Sequence, residues 1–192
     1  MIIKHTNNGY LTTTRAYSEA QWKDPDAIVG TEHLLLALIG DNAPQELSGF
    51  KEWHEQLIHQ IADHGGWTEA ERAESLQENQ LEFANFPPNL AAIAFRKQGI
   101  TAEAARAVVR KLKKPKPGKA NPGQTERFTR ACDRSRKLAR GLSDPEHLLL
   151  ALLEMEEGGA HKVMMTLNVD RDVLRADILK LMSENSDQTL VD

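Results

Sequence analysis

The sequence predicts an all-α protein, a pseudo-twofold duplicated helical bundle with an extra helical insertion between its halves. Three observations carry that expectation. The heptapeptide Glu32-His33-Leu34-Leu35-Leu36-Ala37-Leu38 recurs unchanged as Glu146-His147-Leu148-Leu149-Leu150-Ala151-Leu152, offset by 114 residues. Apolar residues elsewhere recur at helical rather than alternating spacing, and no strand pattern stands out. The composition favours helix, with frequent Ala, Leu, Glu, Arg and Lys and only 5% aromatic residues.

In chain order, Asn7-Asn8-Gly9 makes a turn-like start, and a helix follows from about Tyr10 to Trp22 with Leu11, Ala16 and Ala20 on its apolar face. Asp24-Pro25-Asp26 breaks it. Gly30 or Thr31 then caps the first repeated helix, which is apolar on every side from Leu34 to Ile39 and should be buried. Gly40-Asp41-Asn42 stops it. Phe50, Trp53, Leu57, Ile58 and Ile61 mark the next helix, which Gly65-Gly66 ends. Thr68 to Glu71 is a capping box opening a charged helix that runs to about Phe83. Phe86-Pro87-Pro88 interrupts before helices at Asn89–Lys97 and Thr101–Lys113.

Lys113 to Lys119 reads as a linker, because two prolines, a glycine and four lysines leave nothing to bury. Asn121-Pro122 has the form of a helix start, an N-cap followed by proline at N1. Phe128, Ala131, Cys132, Ser135 and Ala139 line one face of that helix. Asp144-Pro145 caps the second repeated helix and Gly158-Gly159 ends it. A short helix around Ala160–Leu167 and an amphipathic one through Val173, Leu174, Ile178 and Leu181 close the chain, with fraying expected from Ser186. The expected division is a first repeat at 1–67, an insertion and linker at 68–120, a second repeat at 121–185 and a tail at 186–192.

The net charge of −4 is ordinary, but its distribution is not: Arg106 to Arg140 holds thirteen Lys and Arg against two acids. With Cys132 as the single cysteine, an intramolecular disulfide is impossible and a cytoplasmic location fits. No apolar h-region opens the chain, and no run approaches the ~18 residues of a membrane span.

The stretch from Gly30 to Leu36, preceded by a helix and repeated downstream, resembles the Clp amino-terminal (Clp repeat) domain found at the front of the ClpA, ClpB and ClpC unfoldases. Arg136-Lys137-Leu138, Glu157-Gly158-Gly159-Ala160 and Leu167-Asn168-Val169 extend the likeness in the second half. In the first half it runs mainly from Asn7 to Ile39, and Thr68 to Lys114 has no counterpart. The resemblance implies two pseudo-symmetric four-helix repeats. No phosphate-binding G-x-x-x-x-G-K-[ST] loop is present, so a free-standing domain without its ATPase modules is expected, acting as adaptor, decoy or accessory factor. Implied partners are proteins: Clp ATPase or protease components and substrates, including arginine-phosphorylated ones. No cofactor or metal is implied.

In some ClpC-type members, glutamates matching Glu32 and Glu146 help bind phosphorylated arginine. A carboxylate there accepts a guanidinium fork, and donors at a helix start hold the phosphate. The resemblance carries these roles to Glu32, Thr31 and Asn7 in the first half and to Glu146 and Asn121 in the second. The first entrance is the expected survivor, because Pro145 replaces the family's threonine in the second. The plainer reading is that both glutamates simply favour the positive end of their own helix. His33 and His147 are expected to pack and hydrogen-bond rather than bind metal. His54 and His59 lie five apart, where a zinc-protease helix needs four. Cys132 reads as a small core residue. The basic stretch is read as a solvated linker and helix face, with nucleic-acid binding as the rival function. No aromatic interleaves its cations before Phe128, which disfavours nucleic acid. No triad, metal set or phosphate loop supports an enzyme.

Overall fold

The structure, a computed structural model, describes residues 7–21, 26–40, 55–56, 58–84, 89–114, 116–118 and 123–188. Its described residues are mostly helical, and a parallel bridge joins Val29 to Gln124. The helices are α1 (Asn7–Gln21), α2 (Thr31–Ile39), α3 (58–65), α4 (Glu69–Ala84), α5 (Leu90–Lys97), α6 (Ala102–Val109), α7 (Glu126–Ala139), α8 (Pro145–Leu153), α9 (Gly159–Thr166) and α10 (Arg171–Gln188). Among the described residues no helix is long and apolar enough to cross a membrane.

The chain divides into two compact units, Met1–Asp41 with Asn89–Asp192, and Asn42–Pro88. The expected insertion at 68–120 differs from this division. Helices α5 and α6 belong to the first unit, where Leu90, Ala91, Ala94, Phe95, Ile100, Ala102 and Ala105 join the main core. Asn89 shows how. Its side chain caps α5 by accepting from the amides of Ala91 and Ala92, at 3.0 and 3.3 Å. Its amide group also donates to Leu38 O (3.0 Å) in the last turn of α2 and to Gly40 O (3.4 Å) at its C-cap. One side chain thus satisfies orphan groups of two helix ends at once.

In the first unit both repeated helices are central. Every residue of α2 is buried, and Leu34, Leu35, Leu38, Leu148, Leu149 and Leu152 have essentially no exposed surface. At roughly 1.5–3 kcal/mol for each buried leucine, this cluster is the main apolar contribution of the repeated motif. The packing pairs run in the same order in the two halves. Helix α1 packs on α2 as α7 packs on α8, α9 on α2 as α5 on α8, and α10 on α5 as α6 on α9. Where the halves meet, Val29 N–H donates to Gly123 O and Thr125 N–H to Val29 O. Beside that join the Tyr17 hydroxyl donates to Gln124 Oε1 at 2.6 Å, and the Tyr17 ring stands edge-on to Phe128 at 5.8 Å.

Two starts and ends differ from expectation. Helix α7 begins at Glu126 rather than at Asn121-Pro122, which lie outside the described residues. Its cap is Thr125, whose hydroxyl accepts from Phe128 N–H at 3.1 Å. At the other end α10 continues to Gln188, beyond the expected fraying at Ser186. The second unit is described over α3, the turn at Gly66 (φ 67) and α4, with Thr68 and Glu71 forming the expected capping box. Among its described residues Ile58 and Ala62 are buried, while Ile61 and Trp67 are exposed.

Candidate functional site

The two helix entrances share one local device. At α2 the N-cap is Gly30, and the third helical residue, His33, turns its ring back so that Nδ1 accepts from Gly30 N–H at 3.0 Å. At α8 the N-cap is Asp144, and His147 Nδ1 accepts from Asp144 N–H at 3.3 Å. Each histidine does the work that Glu or Gln does in a capping box. An accepting Nδ1 leaves the proton of a neutral ring on Nε2. Burial holds both histidines below the ordinary imidazole range, with Glu32 and Glu19 opposing that at His33 and Asp144 opposing it at His147.

Beyond this shared cap the entrances differ. Thr31 and Glu32 are buried, Glu32 to 5% exposure, because the start of α9 lies on them. Thr31 Oγ1 accepts from Ala160 N–H at 3.2 Å, so a residue of α2 caps a helix of the other half. Gly158 adopts φ 103, a region that favours glycine, and a Cβ there would stand 2.9 Å from Thr31 Oγ1. At Gly159 a Cβ would fall on the Glu32 carboxylate itself, far inside van der Waals contact. The glycine pair therefore serves close approach, and the Glu32 charge faces the positive end of α9.

Arg127, from the first turn of α7, completes this corner. Its Cδ packs beside Gly158, and its guanidinium donates to Glu157 Oε2 at 2.7 Å. That hydrogen bond is the main reason the guanidinium holds its proton more tightly than usual, and the Glu32 charge adds to it. Glu157 also accepts from Arg130 at 3.0 Å, and the two arginines pull its carboxyl down to about 2.

Glu146 is only partly covered. Burial pushes its carboxyl up to about 7, its own backbone amide opposes the shift and the neighbouring Asp144 charge adds to it. Among the described residues, Asp144, Glu146 and His147 bring ligand atoms within 4.8 Å of one another. This is the trio a metal ion would use. It stands at the positive end of α8, and His147 Nδ1 is committed to the cap, so the donor set suits a cation poorly.

The structure thus brings Thr31 and Glu32 together with α9 and keeps Glu146 at the more open entrance. Asn7 stands in the first turn of α1, its side chain outside the described set, and Asn121 lies outside it altogether. Sequence reasoning missed Thr125, Arg127 and the role of Gly158-Gly159. Thr125 carried a readable signal, a threonine three residues before the buried Phe128. The contacts of Arg127 and Gly159 join segments too distant in the chain for any local pattern to reveal.

Cys132 is buried in α7 with its thiol pushed up to about 12, by burial first and then by the Asp133 charge, as suits a core residue. A cleft of about 420 Å³ beside α10 is lined by Leu153, Glu154, Glu156, Arg171, Asp172 and Arg175. Its cations are engaged, Arg171 with the carbonyls of Leu153 and Met155 and Arg175 with Glu154.

Comparison with known proteins is decided by the C-terminal half. Residues 136–190 match the family described as Clp repeat (R) N-terminal domain. That stretch is similar to a Clp N-terminal repeat. A ClpA homolog from Cyanidium caldarium, an ATP-dependent Clp protease ATP-binding subunit, is 34% identical over 104 residues, covering 51% of this chain and 12% of that relative. This chain therefore spans a small fraction of that relative's length. The N-terminal domain of the caseinolytic-protease-associated chaperone ClpD from Arabidopsis thaliana shares the fold. It superposes with a TM-score of 0.56 at 19% identity, over 93% of this chain and 97% of that one. The all-helical architecture is accordingly that of a Clp N-domain.

Proposed function

We propose that this chain is a non-catalytic protein-binding module of the Clp chaperone and protease system. It binds substrates, degradation-tagged proteins or Clp components as an adaptor, decoy or accessory factor. The carrying observation is the Clp repeat match over 136–190 on a Clp N-domain fold. In this reading α5 and α6 close the first repeat as α9 and α10 close the second. The segment 42–88 is then the insertion within the first repeat. The test is direct binding of the purified chain to Clp ATPase and protease subunits, with degradation of a model substrate followed in its presence. No binding and no change in degradation rate would remove the reading.

The ligand reading is narrower. An arginine-phosphorylated segment would set its guanidinium against Glu146. Partial exposure of Glu146 supports this choice, and the cover that Gly159 gives Glu32 argues against the first entrance. Titration calorimetry with a phosphoarginine peptide separates the two. Binding lost in Glu146→Ala and kept in Glu32→Ala supports the second entrance, and the reverse pattern assigns the ligand to the first. The nucleic-acid alternative weakens because the arginines of α7 lean on the chain's own Glu154 and Glu157.

A further inference from the structure

Helix α10 turns one face into the core and another to solvent. Leu174 and Ile178 are fully buried. Val173, which spacing groups with them, faces outward at 48% exposure, and Leu179 is 50% exposed. Ala176 between them is exposed, as are Asp172 and Lys180. At about 100° per residue these five fall within an arc of roughly 120°. The outer face of α10 is therefore a row of apolar side chains with an acid at one end and a base at the other. Single apolar residues scattered over a surface are ordinary, but an ordered row points to a partner.

The row is symmetric in a chemical sense. Ala176 is its midpoint. Val173 and Leu179 lie three residues before and after it, and Asp172 and Lys180 lie four before and after it. Two such helices, packed antiparallel about a twofold axis at Ala176, set Val173 of each beside Leu179 of the other. The same arrangement sets Asp172 of each beside Lys180 of the other. The small residue at the axis lets the helices approach to the close end of the usual separation of about 8–10 Å. Like charges stay apart: Arg175 comes level with Asp177, and each is already held within its own chain, by Glu154 and Lys97. The end charges are available. Asp172 makes no ion pair among the described residues, and Lys180, 69% exposed, stands a loose 3.8 Å from Glu184. A twofold interface requires a surface complementary to its own reverse, and this row meets that requirement.

We propose that α10 pairs with α10 of a second copy of this chain, antiparallel and centred on Ala176, to form a twofold dimer. Burial of Val173, Ala176 and Leu179 supplies the attraction. The two Asp172–Lys180 pairs at the rim set direction and register. With one helix face from each chain the interface is small, so the dimer is weak and reversible.

The test is sedimentation equilibrium of the full chain across a series from micromolar to millimolar, with circular dichroism confirming that each variant is folded. The wild type is expected to associate reversibly. Ala176→Arg sets two like charges at the axis and should weaken the dimer by roughly tenfold or more. Leu179→Ser, which removes an apolar contact on each side, should weaken it as well. Asp172→Lys and Lys180→Asp should each weaken it several-fold, because each places like charges together. Both in one chain should restore wild-type affinity, because the rim pairs are then complementary again in the antiparallel register. A wild type that stays monomeric throughout the series overturns the proposal. A dimer indifferent to Ala176→Arg also overturns it, since it would lie on another surface. So does a double reversal that binds no more tightly than the single ones.

Discussion

Thr31 and Ala160 stand 129 residues apart, yet the hydroxyl of one accepts the backbone N–H of the other at 3.2 Å. The donor is in the first turn of α9, where an N–H has no partner within its own helix. The acceptor comes from the first turn of α2. Folding of the second half is therefore completed by a side chain of the first. Thr31→Val keeps the shape and removes the acceptor, so it should cost about 1–3 kcal/mol. Urea unfolding measures that loss, and faster hydrogen exchange at Ala160 would locate it.

Gly159 can be tested against Glu32. A Cβ at 159 collides with the Glu32 carboxylate and also approaches its Cβ, so Gly159→Ala should destabilise by roughly 1–3 kcal/mol. In a double-mutant cycle, Glu32→Ala should relieve part of that cost, because the carboxylate is the nearer obstacle. Strict additivity would show that the two residues do not meet.

Thr125 and Asn121 make opposite predictions about where α7 begins. Thr125→Ala should lose the cap on Phe128 N–H and about 1 kcal/mol of stability. Asn121→Ala removes no cap of α7 and should cost less than Thr125→Ala in thermal unfolding. A larger effect at Asn121 would return the helix start to the Asn-Pro pair.

The carboxyl of Glu146 makes stability depend on pH in a defined direction. Its ordinary value is 4.5 and its folded value about 7, so the folded chain binds this proton more tightly than the unfolded chain does. The stabilisation is complete below about 4.5 and is lost as pH rises through 7. At pH 8 the partly covered charge should cost on the order of 2–3 kcal/mol relative to low pH. Glu146→Gln cannot ionise, so its stability advantage over the wild type should grow between pH 5 and 8. Parallel pH profiles for the two proteins would contradict the assignment. The two depressed histidines act in the opposite sense, lowering stability as pH falls below 6.5, and are common to both proteins.

Cys132 should resist thiol reagents. With its thiol at about 12 and its side chain in the core, the thiolate is scarce and shielded. Labelling at pH 8 should proceed only on unfolding, and equal rates in native and denatured protein would contradict the burial.

The sequence made legible whatever rests on neighbours in the chain. Two buried copies of one heptapeptide, the Asp144 cap, the Thr68–Glu71 box and nearly every helix could be read from local spacing. The candidate residues at the entrances were reachable because a glutamate in a first turn is itself a local pattern. The partners of those residues were not. Assigning α5 and α6 to the insertion was natural when only their spacing was visible. What ties them to the core is an amide reaching Leu38 O across 51 residues. In the same way, Asn121-Pro122 satisfied the rule for a helix start, but Thr125 lies where Phe128 must turn into the core, and burial decided between them.

Asn89 carries one more implication. Its side chain reaches Gly40 O across 49 residues of sequence, so the chain departs from the helical body and comes back through a single doorway. Whatever occupies the interval begins and ends at neighbouring positions. It could be lengthened, shortened or replaced by a few residues of loop without re-routing the body it left. A shortened version joining residue 40 to residue 89 should keep the Clp-type core intact, and any property lost with the removed cassette would belong to the cassette alone.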